Sequence, residues 1–399
     1  MGYQGSWNAT TDQPTRAMEQ GLIGRYASLD PSDSGDSSRY SLSANFAAPL
    51  GAWVVSGNIY VVHQRLTLWN DFTHFLDDPS NGDQHAQNDR RYIAGGTLSA
   101  ARDVSIAGIA HHFTSGLQTR YDNGRLNLIR TRQWVSLDMV RDDHIQETSV
   151  GGCVEDYIRW TPQLRTDSGT REDYYDVDDR NFVGGVTGSK HARLFQPKGS
   201  LTLGVWSKTE TYLSAGRGFH SNDGRAGLVD NGNGTTGFAR PPLLVQSTGE
   251  ELGIRTNIVP RLTAAITIFQ IDFASELTNN ADAGHTESGR PSRRRGIEIT
   301  GQYRPFRWLE LKANLTFSHA RYRDGDRGSR HIEDAPGFIG SAGLLVDNFG
   351  RWFGPVVYRD LGAHPLAEDT SVRSMGYREV NANIGYKLNP GLRGTDGRL

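Results

Sequence analysis

Polar and apolar residues alternate with a period of two along most of this chain. In LELKANLTFS (309–318), Leu309, Leu311, Ala313, Leu315 and Phe317 take one face, and Glu310, Lys312, Asn314, Thr316 and Ser318 take the other. RGIEITGQYR sets Ile297, Ile299 and Tyr303 against Glu298, Thr300, Gln302 and Arg304. EVNANIGYKL repeats the pattern with Val380, Ala382, Ile384, Tyr386 and Leu388, and Leu201, Leu203, Val205, Leu252, Ile254 and Ile258 extend it. Helical periodicity is almost absent. This pattern predicts β-strands with one apolar and one wet face.

The connections carry more information than the strands. Short turns are expected near 49–51, 102–103, 161–163, 207–208, 259–260, 306–307, 348–350 and 389–391, most of them marked by Pro or Gly. Long polar loops are expected near 9–38, 71–89, 115–145, 179–193, 218–247, 274–293, 322–335 and 363–376. Short and long connections alternate, so an antiparallel meander places all the short ones at one end. The expected fold is therefore all-β, an antiparallel transmembrane β-barrel meander of about 15 or 16 strands. Trp53, Trp160, Trp206, Trp308 and Trp352 all lie close to short turns, as an aromatic girdle at one membrane boundary requires. Packing at strand ends is the plainer reading of the same residues. A sandwich or propeller buries its apolar faces against another sheet and does not sort its loops by length.

Composition narrows the function. Of 399 residues, 43 are Lys or Arg and 45 are Asp or Glu, a net charge of −2 that gives no reason to expect nucleic acid. Cys153 is alone, which excludes a disulfide framework and a cysteine-based zinc site. The uncharged run 40–64 contains Pro49-Leu50-Gly51 and reads as two strands and a turn, not a spanning helix. No signal peptide follows Met1, which fits either a cytoplasmic protein or a chain that starts partway through a longer one.

The segment QPKGSLTLGVWSKTETYLSAGRGFHSND (196–223) resembles the strand–turn–strand leading to the RGFHSND loop of TonB-dependent receptors, the ligand-importing barrels of Gram-negative outer membranes. TGEELGIRT (248–256), IDFASELTNNADAGHTESGRPSRRRGIEI (271–299), HPLAEDTSVRS (364–374) and the opening GYQGSWNATTDQP resemble other parts of the same family. The resemblance implies a partial barrel over 1–399, without plug domain, first strands or last strand, taken from a barrel of about 22 strands. It implies a cell outer membrane location and import of a scarce ligand such as an iron–siderophore complex. The implied partners are outer-membrane lipid, the TonB system acting through a plug absent from this chain, and a small-molecule or metal-chelate ligand. A passive porin or other channel, and a soluble carbohydrate-binding β protein, are the alternatives. No enzyme activity and no cofactor are expected.

GRGFHSND supplies the candidate site: Arg217, Phe219, His220, Asn222 and Asp223. Adjacent Ser, His and Asp do not make a triad, which needs convergent geometry, and His220 with Asp223 would need further ligands to hold a metal. A loop shaped by Gly216, Gly218 and Gly224 is one reading; a wall of the transport path is the other. In REDYYDVDD, Tyr174, Asp176 and Asp178 share a strand face, expected as an acidic stripe in the lumen. Arg290, Arg293, Arg294 and Arg295 are expected at the extracellular rim, either solvated and paired with acidic loops or holding lipopolysaccharide phosphates.

Overall fold

The strands follow the alternation and then outrun it. A computed structural model describes all residues except 9–12, 77, 184–186, 223, 226–241, 281–284 and 389–399. In order come β1 (Gly2–Trp7), β2 (Ser34–Leu50), β3 (Trp53–Asn70), β4 (His85–Ile106), β5 (Ile109–Arg132), β6 (Val135–Thr161) and β7 (Leu164–Asn181). Then follow β8 (Gly188–Trp206), β9 (Thr209–Ser221), β10 (Leu244–Thr256) and β11 (Leu262–Phe273). A small hairpin, β12 (Leu277–Asn280) and β13 (His285–Ser288), precedes β14 (Ser292–Phe306), β15 (Leu309–Tyr322), β16 (Phe338–Phe349) and β17 (Trp352–Leu361). A second small hairpin, β18 (His364–Pro365) and β19 (Arg373–Ser374), leads to β20 (Tyr377–Ala382) and β21 (Gly385–Tyr386). One turn of helix, α1 (Thr15–Glu19), lies in the first long loop.

All but the two small hairpins form a single 17-stranded sheet. Its ladders are antiparallel and join strands that follow one another along the chain. β20 and β21 both pair with β17, so they form one interrupted strand. The wall is thus one strand narrower than the count, within the expected range. Among the described residues no ladder joins β1 to β20 or β21, and the sheet ends in two open edges.

Register explains why one face is apolar. Leu201, Leu213, Leu252, Ile268, Ile297, Phe317 and Phe338 are successive partners across β8–β16. Leu42 and Val61 start a similar row at the other side of the sheet. These side chains are not covered: Leu42 is 74% exposed and Ile59 64%. An uncovered apolar surface this large far exceeds the few hundred Å² that soluble monomers show. Among the described residues no second layer lies over it, and a bilayer is the solvent that satisfies it. On the other face, Ser56 bonds Ser99 (2.9 Å), Asn58 takes a bond from Thr97 (3.2 Å) and Tyr212 bonds Thr267 (2.6 Å).

Two expected loops are largely strand. The stretch 115–145 belongs to β5 and β6, joined by the two-residue turn Gln133-Trp134, both with positive φ as a type I′ hairpin demands. The connection expected over 179–193 shrinks to 182–187, and the turn expected at 102–103 falls at 107–108. The cause is common to all three. β6 has 27 residues, whereas about 9–11 cross a membrane. Beyond the bilayer both faces are wet, so alternation fades while the ladder continues. The turn expected at 389–391 lies outside the described residues.

The packed interior sits at the long-loop end. Ile145, Val177 and Leu243 form one buried cluster, and Ala320, Tyr322 and Ile332 another. A buried polar knot ties three connections together. Gln84 Nε2 donates to Ser32 Oγ (2.7 Å), its Oε1 accepts from Thr131 Oγ1 (3.0 Å) and Trp134 N (3.1 Å), and Trp134 Nε1 donates to Ser34 Oγ (2.9 Å). Asp33 accepts from Asp71 N (3.0 Å). Burial pushes the Asp33 carboxyl up to about 6, helped by the nearby Asp30 and Asp71 charges and opposed by hydrogen bonds from Gln84 and the Asp71 amide.

Candidate functional site

The polar face of β4–β7 is lined with charge. Arg91 pairs with Asp89 (2.8 Å), Arg120 with Asp122 (2.6 Å) and Arg171 with Asp173 (2.6 Å). Gln118 accepts from Arg171 (3.2 Å), and Gln196 of β8 donates to Asp173 (2.5 Å). Strand parity puts these side chains on the side opposite Leu117, Val150 and Val154. Of these, Arg91, Gln118, Arg120, Arg171 and Asp173 line a cavity of about 490 Å³, together with Glu147, Ser149 and Tyr175.

The far wall of this cavity is the segment that stood out in sequence. β8 and β9 pair from Trp206↔Thr209 up to Lys198↔Gly216 and no further, although β8 continues to Gly188. Continuing that register would set Arg217 against Pro197, which has no N–H to donate. β9 and β10 stay paired to Ser221↔Leu244. Freed from β8, this arm leans over the inner face of β5–β7. Phe219, Ser221 and Asn222 line the cavity, Leu243 enters the Ile145–Val177 cluster, and Arg225 comes within 3.6 Å of Asp143. Gly224 lies so close that a Cβ there would sit 2.5 Å from Val177 Cγ1. Asn222 closes the neck, its N–H donating to Leu243 O and its Nδ2 to Pro242 O, both at 2.8 Å.

The structure therefore splits the candidate residues. Phe219 and Asn222 face the cavity. Arg217 pairs with Thr248 on the side of Leu213, the apolar face, and is exposed there, away from the cavity. His220 points to the other side of the arm, 5.9 Å from the Phe273 ring, with Nε2 buried and without a hydrogen-bond partner. Asp223 lies outside the described residues. No group of three or more His, Cys, Asp or Glu able to hold a metal occurs among the described residues.

The acidic stripe needs correcting. Asp176 and Asp178 do share a face with Tyr174, but register pairs Tyr174 with Val150, on the apolar side. The lumen stripe of β7 is Arg171, Asp173, Tyr175 and Val177, with Asp173 and Val177 buried. Parity was readable; which parity faced inward was not, because no Leu or Ile within REDYYDVDD marks the outer side. The three consecutive rim arginines also divide: Arg293 and Arg295 face outward, and Arg294 turns inward to Glu276 (3.0 Å). Arg290 covers the Tyr322 ring (4.5 Å) and binds Asp324 (2.7 Å) and Glu368 (2.9 Å). Trp53, Trp160, Trp206, Trp308 and Trp352 all fall at the short-turn end of the sheet. Sequence reading missed Arg91, Arg120, Arg171, Asp173 and Glu147; alternating charges in 118–125 and 171–179 signalled Arg120, Arg171 and Asp173, and nothing local marked Arg91 or Glu147.

Comparison with known proteins agrees with this architecture. A family profile described as TonB dependent receptor-like, beta-barrel matches residues 2–397. Among solved structures, the ferric citrate transporter FecA in its unliganded form superposes with a TM-score of 0.77 at 13% identity, covering 98% of this chain and 60% of that one. The closed form of the ferric-catecholate import receptor Fiu from E. coli K12 gives 0.73 at 14% identity, covering 90% and 59%. The copper transporter OprC gives 0.71 at 16%, covering 90% and 58%. At such identities the likeness concerns the fold, and the chain spans less than two thirds of each of these proteins. With the family profile running from end to end, this chain belongs to the TonB-dependent receptor β-barrel family, whose members reside in the outer membrane.

Proposed function

We propose that this chain is one barrel domain, the wall of an outer-membrane receptor that imports a scarce ligand such as an iron–siderophore complex. The single observation that carries the reading is the charged cavity roofed by the β9–β10 arm. It combines a wet, ion-paired inner surface with an internal obstruction, where a passive pore would keep an open lumen. Paired charges such as Arg120–Asp122 and Arg171–Asp173 offer a polar ligand hydrogen bonds without a net field. Phe219 and Tyr175 add apolar surface for the organic part of a chelate, and Asn222 lines the same cavity while tying the two strands of the arm together. The five tryptophans serve as a girdle at the short-turn boundary. Energy reaches the pathway from TonB through a plug domain, which the family relationship supports. The named cargoes of the solved neighbours, ferric citrate, ferric catecholate and copper, define the probes. The complete receptor, expressed in cells lacking their own iron receptors, should support uptake of at least one radiolabelled complex, and deletion of TonB should abolish it. Uptake that persists without TonB would make the protein a passive channel and sink the reading.

A further inference from the structure

The short-turn end carries charge that the roofed cavity does not use. Three successive short connections meet there: Ser207-Lys208 between β8 and β9, 257–261 between β10 and β11, and Arg307-Trp308 between β14 and β15. The backbone fastens them together, Asn257 N donating to Lys208 O (2.9 Å) and Arg304 N to Arg261 O (3.0 Å). Arg261 Nη1 also donates to Pro305 O (2.8 Å). Between the turns lies a pocket of about 720 Å³ lined by Lys208, Arg261, Arg304 and Arg307, with Asn257 and Gln302 beside them. Among the described residues no Asp or Glu lines it. Glu310, which pairs with Arg304, is already shared with Lys312 at 2.7 Å. Lys208, Arg261 and Arg307 have no carboxylate partner among the described residues.

Backbone geometry is a second, independent sign. Lys208 has a φ of +62° and Arg261 of +65°, in the left-handed region that suits glycine and disfavours longer side chains. Ser207 and Lys208, both with positive φ, form a two-residue turn whose second position favours glycine. Cations thus stand where the turn alone would take glycine, and strained positions of this kind gather at ligand sites. Guanidinium and ammonium groups that converge without counter-charge fit a ligand bringing several negative oxygens at once. We propose that this pocket binds a small soluble polyanion, a molecule with two or more carboxylate or phosphate groups, through Lys208, Arg261 and Arg307. Thr263 and Gln302 are cross-strand partners on the polar face and line the pocket, so it opens toward the lumen and not the lipid. An anion crossing the wall from the long loops would meet this site last; that role rests on the proposed import, whereas anion binding itself does not.

The complete receptor in neutral detergent at low salt is titrated calorimetrically with tricarballylate, a trianion. Binding should be saturable, should weaken as salt is raised, and should be displaced by pyrophosphate but not by equimolar acetate. Lys208→Gln with Arg307→Gln should weaken it by about tenfold or more. Arg65→Gln with Arg90→Gln removes the same charge from a cross-strand pair on the apolar face and should leave it unchanged. Lys208→Gly, which suits the turn, should weaken binding without harming the fold. No saturable binding by the parent, unchanged affinity in either Lys208 variant, an equal loss in the Arg65 and Arg90 variant, or acetate competing as well as pyrophosphate overturns the proposal. Heat-modifiable gel mobility reports folding; if the Lys208 and Arg307 double variant lacks it, Lys208→Gly carries the same expectation. Tricarballylate binding by a receptor that imports no chelate would leave this site standing and strike the importer reading alone.

Discussion

If the arm is latched over the inner wall by Leu243, then shortening that one side chain should uncover Val177. Leu243 is 1% exposed and Val177 0%, and they meet across the gap between β10 and β7. Leu→Ala in a packed cluster costs about 2–5 kcal/mol. That cost falls on the latched state alone, because an opened arm leaves Leu243 in water either way. At about 1.4 kcal/mol per factor of ten, the open fraction should rise between roughly 30-fold and 3,000-fold. The assay needs a single thiol at the covered position: Val177→Cys, close to valine in size, in a Cys153→Ser background within the complete receptor. Reaction with a membrane-impermeant maleimide then proceeds at a rate proportional to the open fraction. Labelling should be slow in this parent and faster by the stated factor after Leu243→Ala. Gly224→Ala approaches from the other side, since its Cβ would also lie 2.9 Å from Glu147 Oε1, and should accelerate labelling too. A thiol at position 177 that reacts as fast as an exposed one in the parent, or a rate untouched by Leu243→Ala, would show that no latch exists.

Three further outcomes follow from the same geometry. Asp33 has a folded-state pKa raised to about 6. The fold therefore binds a proton that the unfolded chain releases, and this contribution is fully present below the ordinary carboxylate value and lost as pH rises through 6. Hydrogen exchange in 71–84 and 131–134 should quicken between pH 4 and pH 7 after correction for intrinsic rates, and Asp33→Asn, which keeps the acceptor oxygen, should flatten the change. Val154→Arg places a cation on the apolar face at a cost of about 2–4 kcal/mol near mid-bilayer, whereas Thr114→Arg, opposite Glu155 on the polar face, should assemble normally; heat-modifiable mobility distinguishes them, and equal behaviour would reverse the face assignment. Asp173→Ala leaves Arg171 and Gln196 without their acceptor and should lower stability to urea by about 1–3 kcal/mol, while Asp176→Ala should change it by no more than about 0.5 kcal/mol.

What the chain disclosed about itself depended on where its two faces meet different solvents. LELKANLTFS became β15 with the expected faces, because lipid lies on one side of it and water on the other. The stretch from Arg120 to Asn123 hid its strand because both sides are wet there, and hydrogen-bond ladders leave no periodic mark on composition. The arginine run 293–295 shows the converse. Parity alone is enough to turn Arg294 away from its neighbours, and a reading that grouped the three by adjacency overlooked it. The acidic residues of β7 needed one fact more, a partner strand to fix which parity is inward, and that partner (Val150 opposite Tyr174) is some two dozen residues distant.

The arm lies furthest from what local pattern can reach. Its cause is visible in the sequence as Pro197, two residues before the apolar alternation of β8 resumes at Gly199 and Leu201. A proline within a ladder position normally marks an edge, and here it marks the rung at which β8 and β9 part. Only the register Lys198↔Gly216 reveals that Arg217 is the first residue denied a partner on β8. From that rung upward, β9 has β10 on one side and no strand on the other. It must cover that edge, and the apolar residues Phe219 and Leu243 find their nearest shelter on the inner face, against Tyr175, Ile145 and Val177. The segment thus owes its position inside the wall to a missing N–H on the neighbouring strand, and the cavity beneath it exists because two flaps of one sheet overlap where they cannot zip. Replacing Pro197 with a residue that can donate, such as Pro197→Thr, should let the ladder extend toward Phe195↔Phe219 and draw the arm back into the wall. In the Val177→Cys background it should then raise the maleimide labelling rate as Leu243→Ala does; an unchanged rate would mean that the overlap is held by the inner contacts alone.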